Sequence, residues 1–352
     1  MIFDKINING ISLNNRLMVS PMCQYSANNG KPTRWHYNHL ANLLNTGAGS
    51  IIVESTAVSK LGRITNKDLC LYNENHKKAH KKLINKLKKI KDIPIILQIS
   101  HSGRKGSSEI PWIKKNSPLK GSKSWKTLSA SPLKRDLGWP LPKEASRSEI
   151  KLIINQFITT TKLAFESGYD GVEVHIAHGY LLHQFFSPIS NYRKDKYGGR
   201  LNNRIRVILE IFKGLSKIKK NKKILGARIT GKDHLRKGLK EEDCIELIRK
   251  LAKLKLDYAC ISSGGILPKT NLKFKRGFRV NFSSKIKSKS KVLISSTGDI
   301  YPKEYVENIL KEKKVDLIAV GRKFISRPKW LLGDTTINKK YKKIPKQYLR
   351  CF

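Results

Sequence analysis

Short apolar runs recur along the whole chain, separated by stretches in which apolar residues return at helical spacing. There are eight such runs, and each is continuous rather than alternating in polarity. A continuous apolar run is typical of a parallel strand that is covered on both faces of its sheet. The runs are Arg16–Pro21, Ser50–Val53, Ile95–Ile99, Gly171–His175, Ile224–Ile229, Tyr258–Ser262, Lys291–Ser295 and Asp316–Val320.

The segments between the runs carry helix signals. Ser146 and Glu149 form a capping-box pair ahead of apolar residues at helical spacing. The stretch Lys240–Leu256 has acids in its first turn and then repeats apolar positions. Eight strand–helix units in series predict an α/β protein with a (β/α)8 TIM barrel rather than an open sheet.

Several segments exceed what a barrel needs. A barrel of this kind takes about 250 residues, which leaves about 100 for additions. The clearest addition is the loop of residues 106–143, rich in Pro, Ser, Lys and Trp, which we expect over the barrel mouth after the third strand. Residues before the first run predict an N-terminal cap, and residues 334–352 a C-terminal tail. Because no repeat or linker interrupts the pattern, we expect residues 1–352 to form a single domain.

The charge is strongly unbalanced: 72 Lys and Arg face 26 Asp and Glu, a formal net charge of +46. Such an excess favours nucleic acid, because clustered cations release counterions from phosphate. The lysines are nevertheless spread along the chain. In residues 77–91 they surround Leu83, Leu87 and Ile90, the predicted core-facing stripe of a helix with a basic solvated face. We therefore expect nucleic-acid binding to be nonspecific at most.

The remaining composition bounds the setting of the protein. The five cysteines are unclustered and form no CxxC, which disfavours a disulfide framework, a structural zinc or an iron–sulfur cluster. No run approaches the roughly 18 uncharged apolar residues that a membrane span needs, so no membrane association is expected. The first residues lack a basic-then-apolar export signal. We expect a cytoplasmic protein.

Polar residues fall at the C-terminal ends of the predicted strands, where barrels of this kind carry their chemistry. His175 and His178 allow three interpretations: metal ligands, satisfied structural histidines, or two imidazoles that bind one acceptor oxygen. No HExxH or acid triad accompanies them, so no metal site is predicted. Tyr180 offers a phenol that can donate a proton nearby. Cys23 is either a buried inert thiol or a thiol against a redox cofactor.

Further candidates follow the other strands. Gln98 and Arg228 are ordinary residues singly, but together an amide and a cation in the barrel mouth can hold a polar heterocycle and stabilise negative charge on it. Gly298 and Gly321 end the last two predicted strands, and Arg322 adds a cation. This arrangement suits the phosphate site common in the fold, where backbone N–H groups approach an anion closely.

Seven segments together carry a family resemblance over essentially the whole chain. The sequence resembles the old yellow enzyme family of FMN-dependent ene-reductases. It is most similar to the bacterial NADPH dehydrogenase and xenobiotic reductase subgroup, distinguished by the Cys and Tyr after the first strand. The segments are SPMCQYS (Ser20–Ser26), GRIT (Gly62–Thr65), HSGRK (His101–Lys105), HIAHGYLLHQFFSPISNYRKDKYGGRLNNR (His175–Arg204), SSGG (Ser262–Gly265), VGR (Val320–Arg322) and QYLR (Gln347–Arg350).

The resemblance implies FMN as the cofactor, NAD(P)H as its reductant, and a role for each matching residue. His175 and His178 would bind the substrate carbonyl, Tyr25 would orient it and Tyr180 would donate the proton. Arg350 would reach into the active site of a neighbouring subunit, which implies a homo-oligomer, either a dimer or a tetramer. The residues implied to bind FMN are Ser20, Pro21, Met22, Cys23, Ser55, Gln98, Arg228, Gly298, Gly321 and Arg322.

The chain departs from the subgroup at a few positions. Ser55 stands where an alanine is usual, and Phe352 where a tryptophan is usual. Arg279 and Asn281, after the sixth run, differ from the usual polar residues there. These departures leave the shape of the substrate pocket open.

The expected activity is that of an NADPH dehydrogenase of the ene-reductase type. NAD(P)H would reduce the flavin and leave, and the activated C=C bond of an enone or enal would then be reduced, in a ping-pong sequence. Two alternatives remain: a flavin barrel acting on RNA, like a tRNA-dihydrouridine synthase, and a non-catalytic nucleic-acid-binding barrel. The net charge favours both. The place of Cys23 and the lack of a helical RNA-binding domain after the barrel disfavour the first.

Overall fold

The computed structural model describes residues 1–268 and 275–331, and every predicted apolar run forms a strand within them. Eight parallel strands close in the order β3-β4-β5-β8-β9-β10-β11-β12, which confirms the predicted (β/α)8 TIM barrel. In chain order the described strands are β1 (Ile6–Ile8), β2 (Ile11–Leu13), β3 (Leu17–Val19), β4 (Ser50–Ala57), β5 (Ile95–Ser100), β6 (Leu128–Ser129), β7 (Lys143–Glu144), β8 (Gly171–Ile176), β9 (Ile224–Thr230), β10 (Tyr258–Ser262), β11 (Leu293–Thr297) and β12 (Leu317–Val320).

The helices pack around the outside of the barrel. The Ser146–Glu149 capping box is present: the Ser146 hydroxyl accepts from the Glu149 N–H, and the Glu149 carboxylate accepts from the Ser146 N–H. No described helix is both long and apolar enough to cross a membrane. The described helices are α1 (Arg34–Leu44), α2 (Glu74–Ile90), α3 (Arg147–Glu166), α4 (Leu181–Phe186), α5 (Leu201–Arg204), α6 (Arg206–Ile218), α7 (Glu241–Ala252), α8 (Val280–Ser288), α9 (Lys303–Lys311) and α10 (Arg322–Ser326).

Two details of the predicted helices are wrong. In α2, Leu83 and Leu87 are buried as expected, but Ile90 is 39% exposed because it is the last residue of the helix. Ile84 occupies the buried stripe instead. The helix predicted over Lys240–Leu256 ends at Ala252. The lysine face of α2 is solvated, which agrees with the basic solvated face predicted for this helix.

The N-terminal hairpin closes the bottom of the barrel. β1 and β2 pair antiparallel, and their residues Ile8 and Leu13 are buried. They form one apolar cluster with Met18, Ile52 and Ile96, which lie near the N-terminal ends of β3, β4 and β5. The predicted N-terminal cap is therefore present, and it excludes water from the end of the barrel opposite the predicted chemistry.

The loop of residues 106–143 packs over the C-terminal ends of the strands. Its strand β6 pairs with β7, which begins at Lys143, the last residue of the loop. The Ser129 hydroxyl donates to Gln184 of α4 at 3.0 Å, and Arg193 donates to the Ala130 carbonyl at 3.1 Å. These bonds fix the loop over the barrel mouth, as predicted.

A layer of polar side chains crosses the inside of the barrel, above the apolar cluster formed with the N-terminal hairpin. The buried Glu173 carboxylate accepts from the Gln98 amide at 2.7 Å and from the Tyr258 hydroxyl at 2.9 Å. Burial raises the Glu173 pKa, while the charge of Arg228 and the two donors lower it. Glu173 thus joins three strands, and its carboxylate compensates the charge of Arg228 on β9.

We expect the variant Glu173→Gln to lose about 1–3 kcal/mol of folding stability, the cost of leaving one buried donor without an acceptor. A glutamine offers one acceptor oxygen where the carboxylate offers two, and its amide group faces a donor. Denaturant unfolding of the cofactor-loaded protein measures the change. An unchanged free energy of unfolding would show that the Gln98 and Tyr258 bonds to Glu173 contribute nothing.

Candidate active site

The residues predicted to serve the reaction surround the C-terminal ends of the barrel strands. Ser55 lies in β4, Gln98 in β5, His175 in β8 and Arg228 in β9, whereas Ser20–Cys23 and Tyr25 follow β3, His178 and Tyr180 follow β8, Gly298 follows β11, and Gly321 and Arg322 follow β12. Arg350 and Phe352 lie outside the described residues. The fold therefore brings every described candidate to one end of the barrel.

A cavity of about 450 Å³ opens at the ends of β3, β9, β11 and β12, and we call it the β11–β12 cavity. It is lined by seven of the ten residues predicted to bind FMN: Ser20, Pro21, Met22, Arg228, Gly298, Gly321 and Arg322. The other three, Cys23, Ser55 and Gln98, are not among its lining residues. The cavity thus gathers the three residues expected at the phosphate, Gly298, Gly321 and Arg322, together with four others expected to bind FMN.

The β11–β12 cavity is cationic. The described residues that line it include four cationic side chains and one carboxylate, that of Asp299. The cations are Arg228, Arg279, Arg322 and Lys323. Guanidinium groups present several N–H donors in a plane, which suits the oxygens of a phosphate. The lining is therefore that of an anion site.

Arg279 departs from the subgroup pattern and was not predicted as a ligand. Its Nε donates to the Ser263 hydroxyl at 2.9 Å. Burial, together with the nearby Arg228, lowers the Arg279 pKa to about 10. Gly298 has φ +124°, and a Cβ there would lie 2.5 Å from the Arg279 Nη1. A glycine at that position lets the guanidinium approach the cavity, a contact that sequence spacing alone does not reveal.

The predicted histidine pair is assembled beside Tyr180. The ring centroids of His175 and His178 are 5.1 Å apart, and those of His175 and Tyr180 are 5.0 Å apart. His178 stands in the left-handed region, with φ +57°, followed by Gly179 with φ +74°. A Cβ on Gly179 would collide with the Gly265 carbonyl, so this tight turn requires glycine. The turn aims His178 back across the barrel mouth.

Both imidazoles are neutral at physiological pH. Burial lowers the pKa of each well below its ordinary value, and the charge of Arg228 acts in the same direction. The His178 Nε2 lies 2.7 Å from the Ser262 hydroxyl. When that hydroxyl donates, the single proton of the ring sits on Nδ1 and is available to a ligand. The His175 Nδ1 is buried and has no hydrogen-bond partner among the described residues.

The phenols and the thiol near this pair are protonated. Burial raises the pKa of Tyr25 and of Tyr180 well above the ordinary value, and it does the same for the Cys23 thiol. Both phenols can therefore donate a proton or a hydrogen bond. Cys23 is not a thiolate in this state, which argues against a nucleophilic role.

A second cavity, of about 260 Å³, lies between the two phenols and the loop of residues 106–143. We call it the insertion cavity. Its lining comprises Tyr25, Ile64, Thr65, Lys105, Ser108, Glu109, Pro111, Lys115, Asn116, Ser117, Arg135 and Tyr180. It connects the proton-donor candidates with side chains of the inserted loop.

Lys105 secures the histidine turn. Its ammonium donates to the His178 carbonyl at 2.7 Å and to the Gly265 carbonyl at 3.2 Å. It also lies 5.2 Å from the centre of the Tyr180 ring. Burial, together with the charges of the neighbouring Arg135 and Arg104, lowers the Lys105 pKa to about 7.

This pKa gives a pH-dependence. Between about pH 7 and 10, an unfolded Lys105 holds its proton and the folded one has lost it, so unfolding takes up a proton and stability rises with pH. We expect the free energy of unfolding of the wild type, minus that of Lys105→Met, to increase from pH 7 to pH 10. Denaturant unfolding at several pH values measures it, and a difference that does not vary with pH contradicts it.

A buried pair under the turn, His183 and Asp233, was not predicted from the sequence. The Gly179 N–H donates to the His183 Nδ1 at 2.8 Å, so the ring proton is on Nε2. That nitrogen lies 3.0 Å from the fully buried Asp233 carboxylate. In the described part of the chain no cluster of three or more His, Cys, Asp or Glu could hold a metal ion. His183 and Asp233 instead orient the backbone that carries His178.

Comparison with known proteins assigns the chain to a family. The NADH:flavin oxidoreductase / NADH oxidase family matches residues 1–340. The chain belongs to this family. It is similar to an NADPH dehydrogenase of Clostridium acetobutylicum, 33% identical over 100% of this chain and 99% of the relative. It is also similar to an NADH:flavin oxidoreductase of Gibberella zeae, 35% identical over 93% of this chain and 83% of the relative.

Among solved structures, the fold is similar to that of a 2-naphthoyl-CoA reductase in complex with 2-naphthoyl-CoA. The TM-score is 0.85 over 94% of this chain at 22% identity, and the chain spans about half (51%) of that protein. At this identity the likeness shows the fold alone. As a member of the NADH:flavin oxidoreductase / NADH oxidase family, the chain is an oxidoreductase that uses FMN with NAD(P)H as reductant. The resemblance to the old yellow enzyme family is confirmed.

The residues present fit FMN. Two buried polar atoms of residues predicted to bind FMN have no hydrogen-bond partner within the described ranges: the Ser20 hydroxyl and the Arg228 Nε. Buried polar atoms are rarely left unpaired, so this mouth calls for a polar ligand. FMN has a ring with carbonyl and nitrogen groups at one end of the molecule and a phosphate at the other. The orphaned atoms and the cationic β11–β12 cavity match those two ends.

Proposed function

We propose that this chain reduces the activated C=C bond of α,β-unsaturated aldehydes and ketones with NAD(P)H, by ping-pong hydride transfer. The observation that carries the proposal is the His175–His178 pair beside Tyr180. Two neutral imidazoles and a protonated phenol converge at the barrel mouth, where His175 has an unsatisfied ring nitrogen. Such donors suit a carbonyl oxygen on which negative charge develops.

The cofactor residues divide between its two ends. We assign the phosphate to the β11–β12 cavity, through Gly298, Gly321 and Arg322, with Arg279 as an additional cation. We assign the ring to the segment after β3 and to residues of β4, β5 and β9: Ser20, Pro21, Met22, Cys23, Ser55, Gln98 and Arg228. Bound FMN supplies a carrier for hydride between NAD(P)H and the acceptor carbon. Arg228 places a positive charge beside the ring, which stabilises negative charge there.

The protein acts on the acceptor through polar groups. His175 and His178 donate hydrogen bonds to the carbonyl oxygen, and these bonds strengthen as charge moves onto it in the transition state. Tyr180 holds a proton that it can transfer to the Cα of the acceptor. Tyr25 faces the same space and orients the acceptor.

Three further features of the proposal concern the whole chain. Residues 1–352 act as one FMN-binding barrel, with residues 106–143 as the inserted loop and residues 334–352 as the tail. The protein is a cytoplasmic homo-oligomer in which Arg350 lies near the active site of a neighbouring subunit. Light scattering tests the assembly. The rate of acceptor turnover in Arg350→Ala, compared with the wild type, tests the role of Arg350 in the active site.

Anaerobic stopped-flow absorbance tests the function. The purified protein should be yellow, its flavin absorbance should bleach with NAD(P)H, and 2-cyclohexenone should restore it. Failure of the reduced protein to react with 2-cyclohexenone would contradict the proposed acceptor.

The same experiment addresses the RNA alternative raised by the net charge of +46. Reoxidation by tRNA but not by 2-cyclohexenone would favour a reductase acting on RNA. A colourless protein that carries nucleic acid would favour a binding role. Family membership disfavours both alternatives.

A further inference from the structure

The insertion cavity gives the acceptor a second surface beyond the reacting carbonyl. Tyr25 and Tyr180 line it on the barrel side, and six residues between positions 108 and 117, with Arg135, line it on the loop side. A molecule held between the two phenols therefore also faces the loop. The chemistry of the loop side then bears on which acceptors fit.

That loop side is positively charged. Lys115 and Arg135 of the loop line the cavity against one carboxylate, that of Glu109, among the described lining residues. The Glu109 carboxylate already accepts from the Ile110 N–H at 2.9 Å. The cavity therefore offers an excess of positive charge to a ligand.

Arg135 is fixed in place by neutral partners. Its Nη1 donates to the Ser108 hydroxyl at 3.1 Å and its Nη2 to the Asn116 side-chain oxygen at 2.6 Å. Its guanidinium lies 4.2 Å from the centre of the Trp139 ring, and its Nε is buried without a partner in the described part of the chain. The group is thus oriented, while none of its hydrogen bonds to the protein compensates its charge.

Arg193 has the carboxylate partner that Arg135 lacks among the described residues. Arg193 donates from Nε and Nη2 to both carboxylate oxygens of Asp195. No described carboxylate lies within ion-pair distance of Arg135, and the adjacent Asp136 accepts from the Leu137 N–H instead. A partly buried cation without a carboxylate partner costs free energy unless a ligand compensates it. Burial lowers the Arg135 pKa in agreement with this cost.

Resting on the proposed function, we propose that the acceptor carries a carboxylate and that Arg135 binds it. Arg135 is then a specificity-determining residue that touches the substrate away from the reacting atoms. The substrate class is an enone acid, in which the unsaturated ketone meets the histidine pair and the carboxylate meets the inserted loop. The exposed lysines elsewhere on this basic chain do not share this arrangement, because they are solvated rather than set beside the phenols.

The experiment compares each acid with its neutral methyl ester on the FMN-loaded enzyme. We choose trans-4-oxopent-2-enoate and trans-6-oxohept-4-enoate, which differ in the reach of the carboxylate. The variant is Arg135→Gln, and the matched control is Lys134→Gln, which removes the same charge from the neighbouring exposed residue. Arg135→Lys keeps the charge and loses the planar fork.

We expect at least one wild-type acid to exceed its ester in kcat/KM. Arg135→Gln should lower that acid-to-ester ratio by about tenfold or more, the size of a lost charge-assisted hydrogen bond. Lys134→Gln should leave the ratio unchanged, and Arg135→Lys should fall between. The dissociation constant of the saturated acid 6-oxoheptanoate, followed by flavin fluorescence, should rise by a similar factor in Arg135→Gln.

The outcomes separate this proposal from the one it rests on. If 2-cyclohexenone is not reduced by the wild type, the proposed function fails. If 2-cyclohexenone is reduced but neither acid is preferred, or the ratio is equal in Arg135→Gln and Lys134→Gln, the carboxylate proposal fails. It also fails if Arg135→Gln slows flavin reduction by NADPH and not by NADH with the ratio unchanged, because the anion would then be the nucleotide's phosphate.

Discussion

Replacing His178 by alanine should slow reoxidation of the reduced enzyme by 2-cyclohexenone by on the order of 10²-fold or more. Loss of one preorganised donor to a developing oxyanion has an effect of that size. His178 is a donor of this kind because its ring is neutral, turned across the barrel mouth, and hydrogen-bonded through Nε2 to Ser262. Stopped-flow absorbance of the flavin measures the rate.

Two controls separate this role from a general effect on the site. Flavin reduction by NAD(P)H in His178→Ala should change much less, because no carbonyl oxygen is activated in that step. His178→Asn restores an N–H donor and should recover part of the lost rate. Equal losses in the two half-reactions would show that His178 supports the cofactor rather than the acceptor.

The barrel was predictable because its signals are local. Parallel strands covered on both faces are continuous apolar runs, and each of the eight runs forms one barrel strand. Helix ends were less certain, since the burial of Ile90 depends on where α2 stops against its neighbours. The capping box at Ser146 was readable because both partners lie three residues apart.

Within the site, motifs placed His175, His178 and Tyr180 correctly at one end of the barrel. Their protonation states were not readable, because they follow from burial and from Arg228, which lies on another strand. The tautomer of His178 likewise depends on Ser262, 84 residues away in the chain.

The residues that sequence reasoning missed act through partners distant in sequence. Glu173 binds Gln98 and Tyr258, at separations of 75 and 85 residues. Arg279 reaches the β11–β12 cavity because Gly298 leaves room for it. Nothing next to a single acid or arginine in this lysine-rich sequence indicates such a role. The role arises only when the closed barrel brings the distant partners together.

The buried His183–Asp233 pair gives the largest expected loss of stability. Asp233 accepts from the Ser187 hydroxyl at 2.6 Å and from the Leu239 N–H at 2.9 Å, besides facing His183. Asp233→Ala leaves the Ser187, Leu239 and His183 donors buried without an acceptor, and each unsatisfied buried donor costs about 1–3 kcal/mol. Denaturant unfolding of the FMN-loaded protein measures the change.

The same variant should also slow acceptor reduction, because Asp233 acts on His178 through a chain of contacts. Asp233 keeps the His183 proton on Nε2, so Nδ1 accepts from the Gly179 N–H and holds the turn. Asp257→Ala is the matched control: it breaks a largely buried pair with Lys219 at the opposite end of the barrel. Both variants should lose stability, but only Asp233→Ala should slow reoxidation by 2-cyclohexenone more than reduction by NAD(P)H. Equal kinetic effects in the two variants would mean that Asp233 stabilises the barrel without positioning His178.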